Sequence, residues 1–348
     1  MVTMNTTANP GLEGVIAAET RLSHVDGDQG VLVINGSHVE ALSGHQSFEA
    51  VCAGLWQVPE VSFGAARVSA FELLEPVDLT DGMDALRAAI AQLPDTCDAT
   101  LITAAVGVAT AAWARRQQGL PVIAPDASLS HSRDLLRMVR GEDMPALAAG
   151  LDAYLVAVVD HGMNASTFTA RVIASTGSDL VSSIVGAIGA LKGPLHGGAP
   201  GPVLDMLDAV GTAGNAQAWL EAEIAAGHRI MGMGHRIYRV RDPRAAVLEK
   251  AIERLESQGI ATGHLTLARA VEHSATQVLA RKYPSRSLQA NVEFYTAVLL
   301  DTLGMPRPLF TPLFASGRVG GWCAHVDEQR KTGKLIRPGS TYVGPMPA

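Results

Sequence analysis

The chain of 348 residues is 47% hydrophobic and only 18% charged, and its formal net charge is −7 at pH 7. This acidic balance, without a run of Lys or Arg, argues against nucleic acid or an anionic membrane as the main partner. The length exceeds what one hydrophobic core usually serves, so we expect two lobes that share an interface. A chain so poor in charge must bury much of its surface, and a subunit interface would account for part of that burial.

Cysteine usage and the absence of a targeting signal predict a cytoplasmic protein. Cys52, Cys97 and Cys323 are far apart and lack CxxC spacing, so we interpret them as core thiols in a reducing compartment. The first residues have neither the basic nor the apolar stretch of a signal peptide. The uncharged run at residues 101–114 is shorter than the roughly 20 residues that span a bilayer.

One short β element is predicted near the amino terminus, and helices follow it. Residues 14–17 and 30–34 are short β-branched runs around a hairpin-type turn at Asp26-Gly-Asp-Gln-Gly30. From residue 47 onward, apolar residues recur at helical spacing. The predicted helices span residues 47–56, 78–93, 101–118, 128–140, 144–160, 166–176, 179–191, 203–210, 216–226, 244–258, 266–281, 291–303 and 320–331. The predicted fold class is therefore all-α with a small N-terminal β element.

Two segments rich in Pro and Gly, residues 193–202 and 304–312, interrupt the helices. We expect them to act as hinges between two domains. Residues 1–202 and 304–348 would form a large α-helical domain, and residues 203–303 a small one.

Two histidines are presented from turns that contain glycine. His196 lies in Gly193-Pro-Leu-His-Gly-Gly-Ala-Pro200, where Gly-Pro steps fix a turn and adjacent glycines allow close approach to the backbone. His235 follows the loop Met231-Gly-Met-Gly234 in a similar way. A simple helix-capping turn, with its histidine in water, is the alternative for His196. The second histidine of the same kind argues against it.

The histidines do not form a metal-binding pattern. A histidine metal site is expected to contain a close pair such as HxH or HxxxH with carboxylates nearby, and the sequence has no such pair. We therefore predict no metal site. The histidines treated as surface or core residues are His24, His38, His45, His131, His228, His264 and His273.

Five motifs in a fixed order carry a resemblance to a known family. They are Gly193-Pro-Leu-His196-Gly-Gly-Ala, Gly234-His235-Arg-Ile-Tyr with Asp242-Pro-Arg244 behind it, Asn291-Val-Glu-Phe-Tyr295, Gly317-Arg-Val-Gly-Gly-Trp-Cys-Ala-His325 and Ile336-Arg-Pro338. Together they resemble the citrate synthase family, and the match runs from Pro10 to Tyr342. The run Asp160-His-Gly-Met-Asn-Ala-Ser-Thr-Phe-Thr-Ala-Arg171 is most similar to the short bacterial group called citrate synthase 2.

The resemblance implies an all-α homodimer whose large and small domains close over the substrates. It implies condensation of acetyl-CoA with oxaloacetate to citrate and free CoA, with the CoA thioester as a substrate and no metal or redox cofactor. Closure would exclude water and order the binding, with oxaloacetate before acetyl-CoA. Equal binding of acetyl-CoA with and without oxaloacetate would contradict that order.

The chemistry of this reaction explains the catalytic residues that the resemblance implies. The acetyl methyl group is a very weak acid, so a base must remove its proton while a donor stabilises the enolate oxygen. Glu293 matches the base, and His196 matches the donor to the thioester oxygen. His235 matches the residue that polarises the ketone of oxaloacetate.

The resemblance also implies a set of substrate-binding residues. Arginine forks bind carboxylates in bidentate geometry, and Arg244, Arg318 and Arg337 match those that hold the dianionic oxaloacetate. Arg337 would reach into the partner subunit's site. His161 matches a further oxaloacetate ligand, whereas His325 is interpreted as a structural helix residue behind the loop that carries Arg318. The backbone expected to contact CoA comprises Met231, Gly232, Met233 and Gly234.

The sequence departs from the family pattern at three positions. Glu293 stands where the family usually has aspartate, Pro200 where it usually has asparagine, and Gly339 where a second arginine often follows Arg-Pro. A displacement near 1 Å can cost ~10²-fold in rate, so we expect the backbone at residue 293 to lie further back.

Three alternatives to citrate synthesis are considered. A 2-methylcitrate synthase would use propionyl-CoA, and one extra methylene in an apolar pocket changes binding by only about 1–3 kcal/mol. A catalytically weakened relative would serve assembly or regulation, with Glu293 as the sign of lost catalysis. A metal-dependent hydrolase lacks the ligand spacing, and loss of activity with a chelator would favour it.

Overall fold

The computed structural model describes residues 11–12, 14–197 and 200–347, without the side chain of Pro200. It is mostly helical, with one small antiparallel sheet in the order β1-β2-β3. The strands are β1 (Ser23–Asp26), β2 (Val31–Ile34) and β3 (Ser37–His38). This confirms the predicted fold class. The division into domains at residues 203 and 303 stays a prediction.

The helices follow the sheet in chain order. They are α1 (Val39–Leu42), α2 (Phe48–Trp56), α3 (Gly64–Leu73), α4 (Gly82–Ile90), α5 (Ala99–Gln117), α6 (His131–Arg140), α7 (Pro145–Val158), α8 (Ala165–Ala174), α9 (Leu180–Lys192), α10 (Pro200–Val210), α11 (Ala216–Ala225), α12 (Pro243–Ser257), α13 (Leu265–Lys282), α14 (Val292–Thr302) and α15 (Phe310–Thr332), with short 3-10 helices at Ala213–Asn215 and Arg307–Leu309.

Polar side chains start many of these helices by accepting a backbone N–H of the first turn, which an N-cap residue does. The capping residues are Ser47, Asp81, Asp98, Asn164, Asp179, Asp242 and Asn291. The polar residues before the apolar runs were therefore a sound signal for helix starts.

The centre of the main helical core is α15, which packs against α2, α5, α7, α8 and α9. Its glycines allow this close packing. A Cβ at Gly321 would overlap with the backbone oxygen of Val159, and one at Gly317 would overlap with the side chain of Val158. The three cysteines are free thiols buried in the protein, as predicted.

Three sequence predictions about elements were wrong. Residues 14–17 are not a strand; the first strand is β1, and Ile16 is 88% exposed. Helices α1 and α3 were not predicted. Helix α15 begins at Phe310 instead of residue 320, so Arg318 lies within a helix and not on a loop. Pro312 fits the first turn because its missing N–H is not needed there. The glycines of α15 stay helical because neighbouring residues pack closely against them.

The β-hairpin holds two separate segments of the helical region. On β1, Ser23 Oγ donates to Asp160 Oδ2 (2.5 Å) and accepts from the backbone N–H of Gly162 (2.9 Å). At the hairpin turn, the carbonyl of Gly27 accepts from the backbone N–H of Arg239 (2.8 Å). A Cβ at Gly27 would overlap with the carbonyl of Ile237, so this contact requires glycine.

We expect Gly27→Ala to lower the free energy of unfolding by about 1–3 kcal/mol, because the methyl group would push apart two backbone segments. Urea unfolding of the variant and the wild type measures this difference. Gly214→Ala is the matched control, since nothing lies within 4 Å of a Cβ there. An effect of Gly27→Ala no larger than that of the control would show that the hairpin contact is not tight.

Candidate active site

His161 follows α7, and the carboxylate next to it is buried and fixed. Asp160 accepts hydrogen bonds from Ser23 Oγ and from Nε2 of His325 on α15 (3.1 Å). Nδ1 of His325 lies 3.0 Å from Nη1 of Arg171, which can only donate, so the proton of the neutral His325 ring is on Nε2. Burial would raise the pKa of Asp160, but His325 and Ser23 outweigh burial and hold this pKa below its usual value. The turn that carries His161 therefore rests on an ionised carboxylate.

His235 follows a glycine loop that is tied to the segment before α14. Gly232 has a φ of +72°, and a side chain there would overlap with a ring of α14. The Gly234 N–H donates to the carbonyl of Gln289 (2.7 Å), and the Asn291 N–H donates to the carbonyl of Gly232 (2.9 Å). These bonds place His235 beside the start of α14. They also occupy part of the backbone that was predicted to contact CoA.

His161 and His235 lie side by side, with ring centroids 5.6 Å apart. Nδ1 of His235 accepts the backbone N–H groups of Ile237 (3.0 Å) and Tyr238 (3.1 Å). An accepting ring nitrogen carries no proton, so the proton of the neutral His235 ring is on Nε2. Tyr238, which the sequence analysis did not single out, also contacts His161 through its hydroxyl group (3.1 Å from Nε2).

Arg244 forms a two-pronged ion pair with Asp242 in the protein interior. The distances are 3.0 Å from Nε to Oδ1 and 2.7 Å from Nη2 to Oδ2. Asp242 also accepts the backbone N–H of Arg244 at the start of α12 and that of Val292 at the start of α14. One buried carboxylate thus joins two helices and fixes the guanidinium.

Glu293 lies in the first turn of α14, where its backbone N–H donates to Oδ1 of Asn291 (3.0 Å). Its side chain is half-buried, and its carboxyl group has no hydrogen-bond partner among residues 11–12, 14–197 and 200–347. Burial raises its pKa to about 7, although the charge of Arg244 acts in the opposite direction. The carboxyl group can therefore both gain and lose a proton near neutral pH.

Arg318 is a second buried guanidinium close to Arg244. Its Nε donates to the carbonyl of Val158 (2.5 Å), and its guanidinium lies 4.8 Å from the centre of the Phe314 ring. Its Nη2 is buried without a partner in the described part of the chain. Burial, and then the charge of Arg244, lower its pKa to about 10. Arg318 remains charged at neutral pH and has a free donor.

His196 is bonded to the first turn of α8. Its Nε2 lies 2.8 Å from Ser166 Oγ and accepts the backbone N–H of Ser166 (3.3 Å). The proton of the neutral ring is therefore on Nδ1. Ser166 Oγ in turn accepts from Nε1 of Trp322 on α15 (3.1 Å). Residues 198 and 199 of the predicted His196 turn lie outside the described residues.

The site keeps its histidines neutral. Burial is the main cause in each: it lowers the pKa of His196 and of His235 to about 4, and that of His161 well below its usual value. The charge of Arg318 adds to this effect at His196, and that of Arg244 adds to it at His235 and His161. Neutral imidazoles can donate one hydrogen bond each without adding positive charge.

One predicted site residue lies apart from these. Arg337 is exposed in the extended tail after α15, and within the described residues it makes no hydrogen bond or ion pair. The neighbouring Ile336 N–H donates to Ser175 Oγ (3.0 Å), which places the tail near the end of α8. The structure of one chain therefore does not bring Arg337 to the site.

Sequence reasoning missed the residues that support the site. These are Asp160, Ser166, Tyr238 and Asp242, and each lies inside or next to a motif used for the resemblance. Their position beside the selected residues was the signal that could have identified them.

Two features are absent from the residues that the structure describes. None of their helices is long and apolar enough to cross a membrane. Likewise, no three of their His, Cys, Asp and Glu side chains form a group that could hold a metal ion.

The helical fold and this site fit the class of enzymes that remove a proton beside a carbonyl group and bind an anionic substrate. A carboxyl group that titrates near neutral pH suits proton removal, and neutral histidines suit donation to carbonyl oxygens. Two neighbouring guanidiniums, of which only Arg244 is paired with a carboxylate among the described residues, leave positive charge for an anionic ligand.

Comparisons with known proteins agree with that class. The family model "Citrate synthase, C-terminal domain" matches residues 11–339. A Mycobacterium tuberculosis protein named "Putative citrate synthase 2" is 39% identical, with 97% of this chain and 93% of that protein covered. The crystal structure of citrate synthase from Thermotoga maritima MSB8 has a TM-score of 0.84 at 33% identity, covering 98% of this chain and 97% of that one.

A third relative was solved with ligands. The structure of citrate synthase from Thermoplasma acidophilum in a ternary complex with carboxymethyl coenzyme A and oxaloacetate has a TM-score of 0.81 at 25% identity, covering 98% of this chain and 97% of that one. The chain belongs to the citrate synthase family. It is an enzyme, a transferase of the citrate synthase type.

The raised pKa of Glu293 makes stability depend on pH. Because the folded-state pKa is about 7 and the ordinary value is 4.5, the wild type loses stability as pH rises from 4.5 to 7. Glu293→Gln stays neutral, so we expect it to exceed the wild type in unfolding free energy by about 1–3 kcal/mol at pH 8.

Urea unfolding at pH 8 and at pH 4.5 measures this difference, which should nearly vanish at the lower pH. Glu253→Gln, at an exposed glutamate on α12, controls for loss of a charge. An equal gap at both pH values would show that Glu293 has an ordinary pKa.

Proposed function

We propose that the chain condenses acetyl-CoA with oxaloacetate and hydrolyses the citryl-CoA intermediate to citrate and CoA. The observation that carries the proposal is the half-buried Glu293 carboxyl group, with a pKa of about 7, beside the charge of Arg244. The ligands of the Thermoplasma acidophilum structure, carboxymethyl coenzyme A and oxaloacetate, support the choice of substrates. The mechanism needs no metal or redox cofactor.

In the first step, the ionised Glu293 takes a proton from the acetyl methyl group. His196, with its proton on Nδ1, donates a hydrogen bond to the thioester oxygen as negative charge develops there. Burial keeps His196 neutral, so it stabilises the enolate oxygen as a donor and does not need an added proton.

In the second step, the methyl carbon attacks the keto carbon of oxaloacetate and a carbon–carbon bond forms. The electron pair of the carbonyl bond moves to its oxygen, which is stabilised by a hydrogen bond from Nε2 of the neutral His235. This oxygen gains one proton as it becomes the hydroxyl group of citryl-CoA, which balances the proton that Glu293 took from the methyl group and releases to become ionised again. Water then cleaves the thioester bond of citryl-CoA, and CoA leaves as the thiol. This hydrolysis makes the overall reaction irreversible.

Oxaloacetate is held by the buried cations. Arg318 offers Nη2, which lacks a partner in the described residues, and Arg244 is held rigid by Asp242. A charged donor buried without an acceptor is costly, and a substrate carboxylate would remove that cost. We include His161 as a further ligand because it lies beside His235.

Glu293 takes the place where the family usually has aspartate. Its side chain is longer by one methylene, so the α14 backbone must lie further from the methyl group for the same carboxylate position. The bonds between Asn291 and the glycine loop fix the start of α14 and set this distance. A substrate complex with the carboxylate out of reach of the methyl group would contradict this assignment.

The proposal places the enzyme in the cytoplasm as a homodimer, with Arg337 of one subunit in the oxaloacetate site of the other. The backbone of Met231, Gly232, Met233 and Gly234 is proposed to contact CoA through groups that Gln289 and Asn291 leave free. The exposed position of Arg337 supports a role outside its own subunit.

The first test is release of free thiol from acetyl-CoA with oxaloacetate as acceptor, with propionyl-CoA in parallel and each assay run with and without EDTA. We expect acetyl-CoA to be preferred, with kcat/KM rising as pH increases through about 7 because Glu293 must be ionised. Glu293→Gln should lose on the order of 10³-fold in kcat.

Any other result of this assay would indicate a different function. A preference for propionyl-CoA would identify a 2-methylcitrate synthase, inhibition by EDTA would favour a metal enzyme, and no thiol release would point to a non-catalytic relative. Glu253→Gln again serves as the control for loss of a carboxylate.

A mixture of two inactive variants tests the sharing of Arg337. If Arg337 serves the partner's site, a heterodimer of Arg337→Ala and Glu293→Gln contains one intact site. We therefore expect about half of the wild-type activity per heterodimer, from sites that neither homodimer has.

The heterodimer is prepared by co-expression with two tags and sequential purification. Lys334→Ala replaces Arg337→Ala in the control, because Lys334 is another exposed cation of the same tail. Activity of the heterodimer no higher than that of the Arg337→Ala homodimer would place Arg337 in its own subunit or outside the site.

A further inference from the structure

Tyr238 contacts both histidines that face oxaloacetate in the proposed function. It is 1% exposed, and its ring centroid lies 4.8 Å from that of His235 and 5.5 Å from that of His161. Its hydroxyl oxygen lies 3.1 Å from Nε2 of His161, and its backbone N–H donates to Nδ1 of His235 at 3.1 Å. One residue thus makes a separate hydrogen bond to each ring.

These hydrogen bonds decide how each neutral ring presents its proton. A neutral imidazole has one donor and one acceptor, and its second side-chain torsion is soft unless a hydrogen bond restrains it. For His235, the backbone bonds of Ile237 and Tyr238 leave the proton on Nε2. For His161, the Tyr238 hydroxyl is the hydrogen-bond partner of the ring within the described residues.

The hairpin turn fixes the backbone around Tyr238, and burial keeps its hydroxyl group protonated. The hairpin turn contacts its neighbours, because the Arg239 N–H donates to the carbonyl of Gly27. Burial raises the pKa of Tyr238 above its usual value, so its hydroxyl keeps its proton at neutral pH. The phenol is therefore a rigid partner for His161 under the conditions in which the enzyme works.

We infer that Tyr238 is a positioning residue that orients His161 and His235 as one unit and so sets the geometry of bound oxaloacetate. The inference rests on the proposed function, because oxaloacetate is the ligand whose geometry it concerns. Tyr238 acts through the two histidines and not as an acid or base.

Tyr238→Phe is the direct test, since it removes the hydroxyl group and keeps the ring and the backbone N–H. We expect kcat/KM for oxaloacetate to fall by roughly 10- to 100-fold, because the variant loses the buried hydrogen bond to His161 and leaves that ring without its partner. The KM for acetyl-CoA should change by less than about twofold, because Tyr238 orients the groups that bind the other substrate.

Tyr295→Phe is the matched control. Tyr295 is also fully buried, and its hydroxyl donates to Oε2 of Glu272 (2.6 Å), so its loss has a similar structural cost. We expect Tyr295→Phe to lower the melting temperature without changing the KM for oxaloacetate. A wild-type KM and kcat in Tyr238→Phe, or an equal kinetic effect in both variants, would overturn the inference.

A second measurement does not depend on activity. Imidazole ¹⁵N chemical shifts report the tautomer of each labelled histidine, and we expect a single fixed tautomer of His161 in the wild type and a mixture in Tyr238→Phe. His235 should keep its proton on Nε2 in both proteins, because its backbone bonds remain.

The two measurements separate the inference from the proposed function. If the wild type releases no thiol, the proposed function fails, and unchanged His161 shifts in Tyr238→Phe would still overturn the role of Tyr238. Changed shifts in an active wild type, with the kinetic loss above, would support both.

Discussion

The buried ion pair between Asp242 and Arg244 is the interaction on which the site depends. Its carboxylate receives backbone N–H groups from the first turns of both α12 and α14, besides the guanidinium. A buried ion pair is weak evidence for stability, since well-packed apolar residues often do as well or better. Its value here is geometric: it fixes a cation and the start of the helix that carries Glu293.

The electrostatic balance of the site follows from that pair. Asp242 neutralises Arg244, while Arg318 on α15 contributes a second positive charge. Asp160 is bonded to Ser23 and His325. The remaining positive charge lowers the pKa values of the three histidines further than burial alone. An anionic substrate would therefore meet fixed cations and neutral donors in one place.

The sequence predicted the parts of the structure that local chemistry controls. Capping residues such as Ser47 and Asp98 marked helix starts, and the ordered motifs identified His161, His235 and Arg244, which the structure brings together. Prediction from the sequence failed where contacts between residues far apart in the chain determine the structure. In the sequence, Gly317 and Gly321 suggest a break in a helix, but in the structure the end of α7 and the residues after it pack against them. Ile16 is exposed and, among the described residues, lacks the neighbouring strand that a β-strand needs. Tyr238 was missed because its role depends on His161, which is 77 positions away.

The position of α15 at the centre of the core has a consequence for synthesis on the ribosome. This helix is synthesised after α2, α5, α7, α8 and α9, and all five pack against it. Until residues 310–332 have left the exit tunnel, the apolar faces of those helices have no partner within the chain. The nascent protein must therefore pass through a long interval in which its large core is open, and this is when chaperones have most to bind.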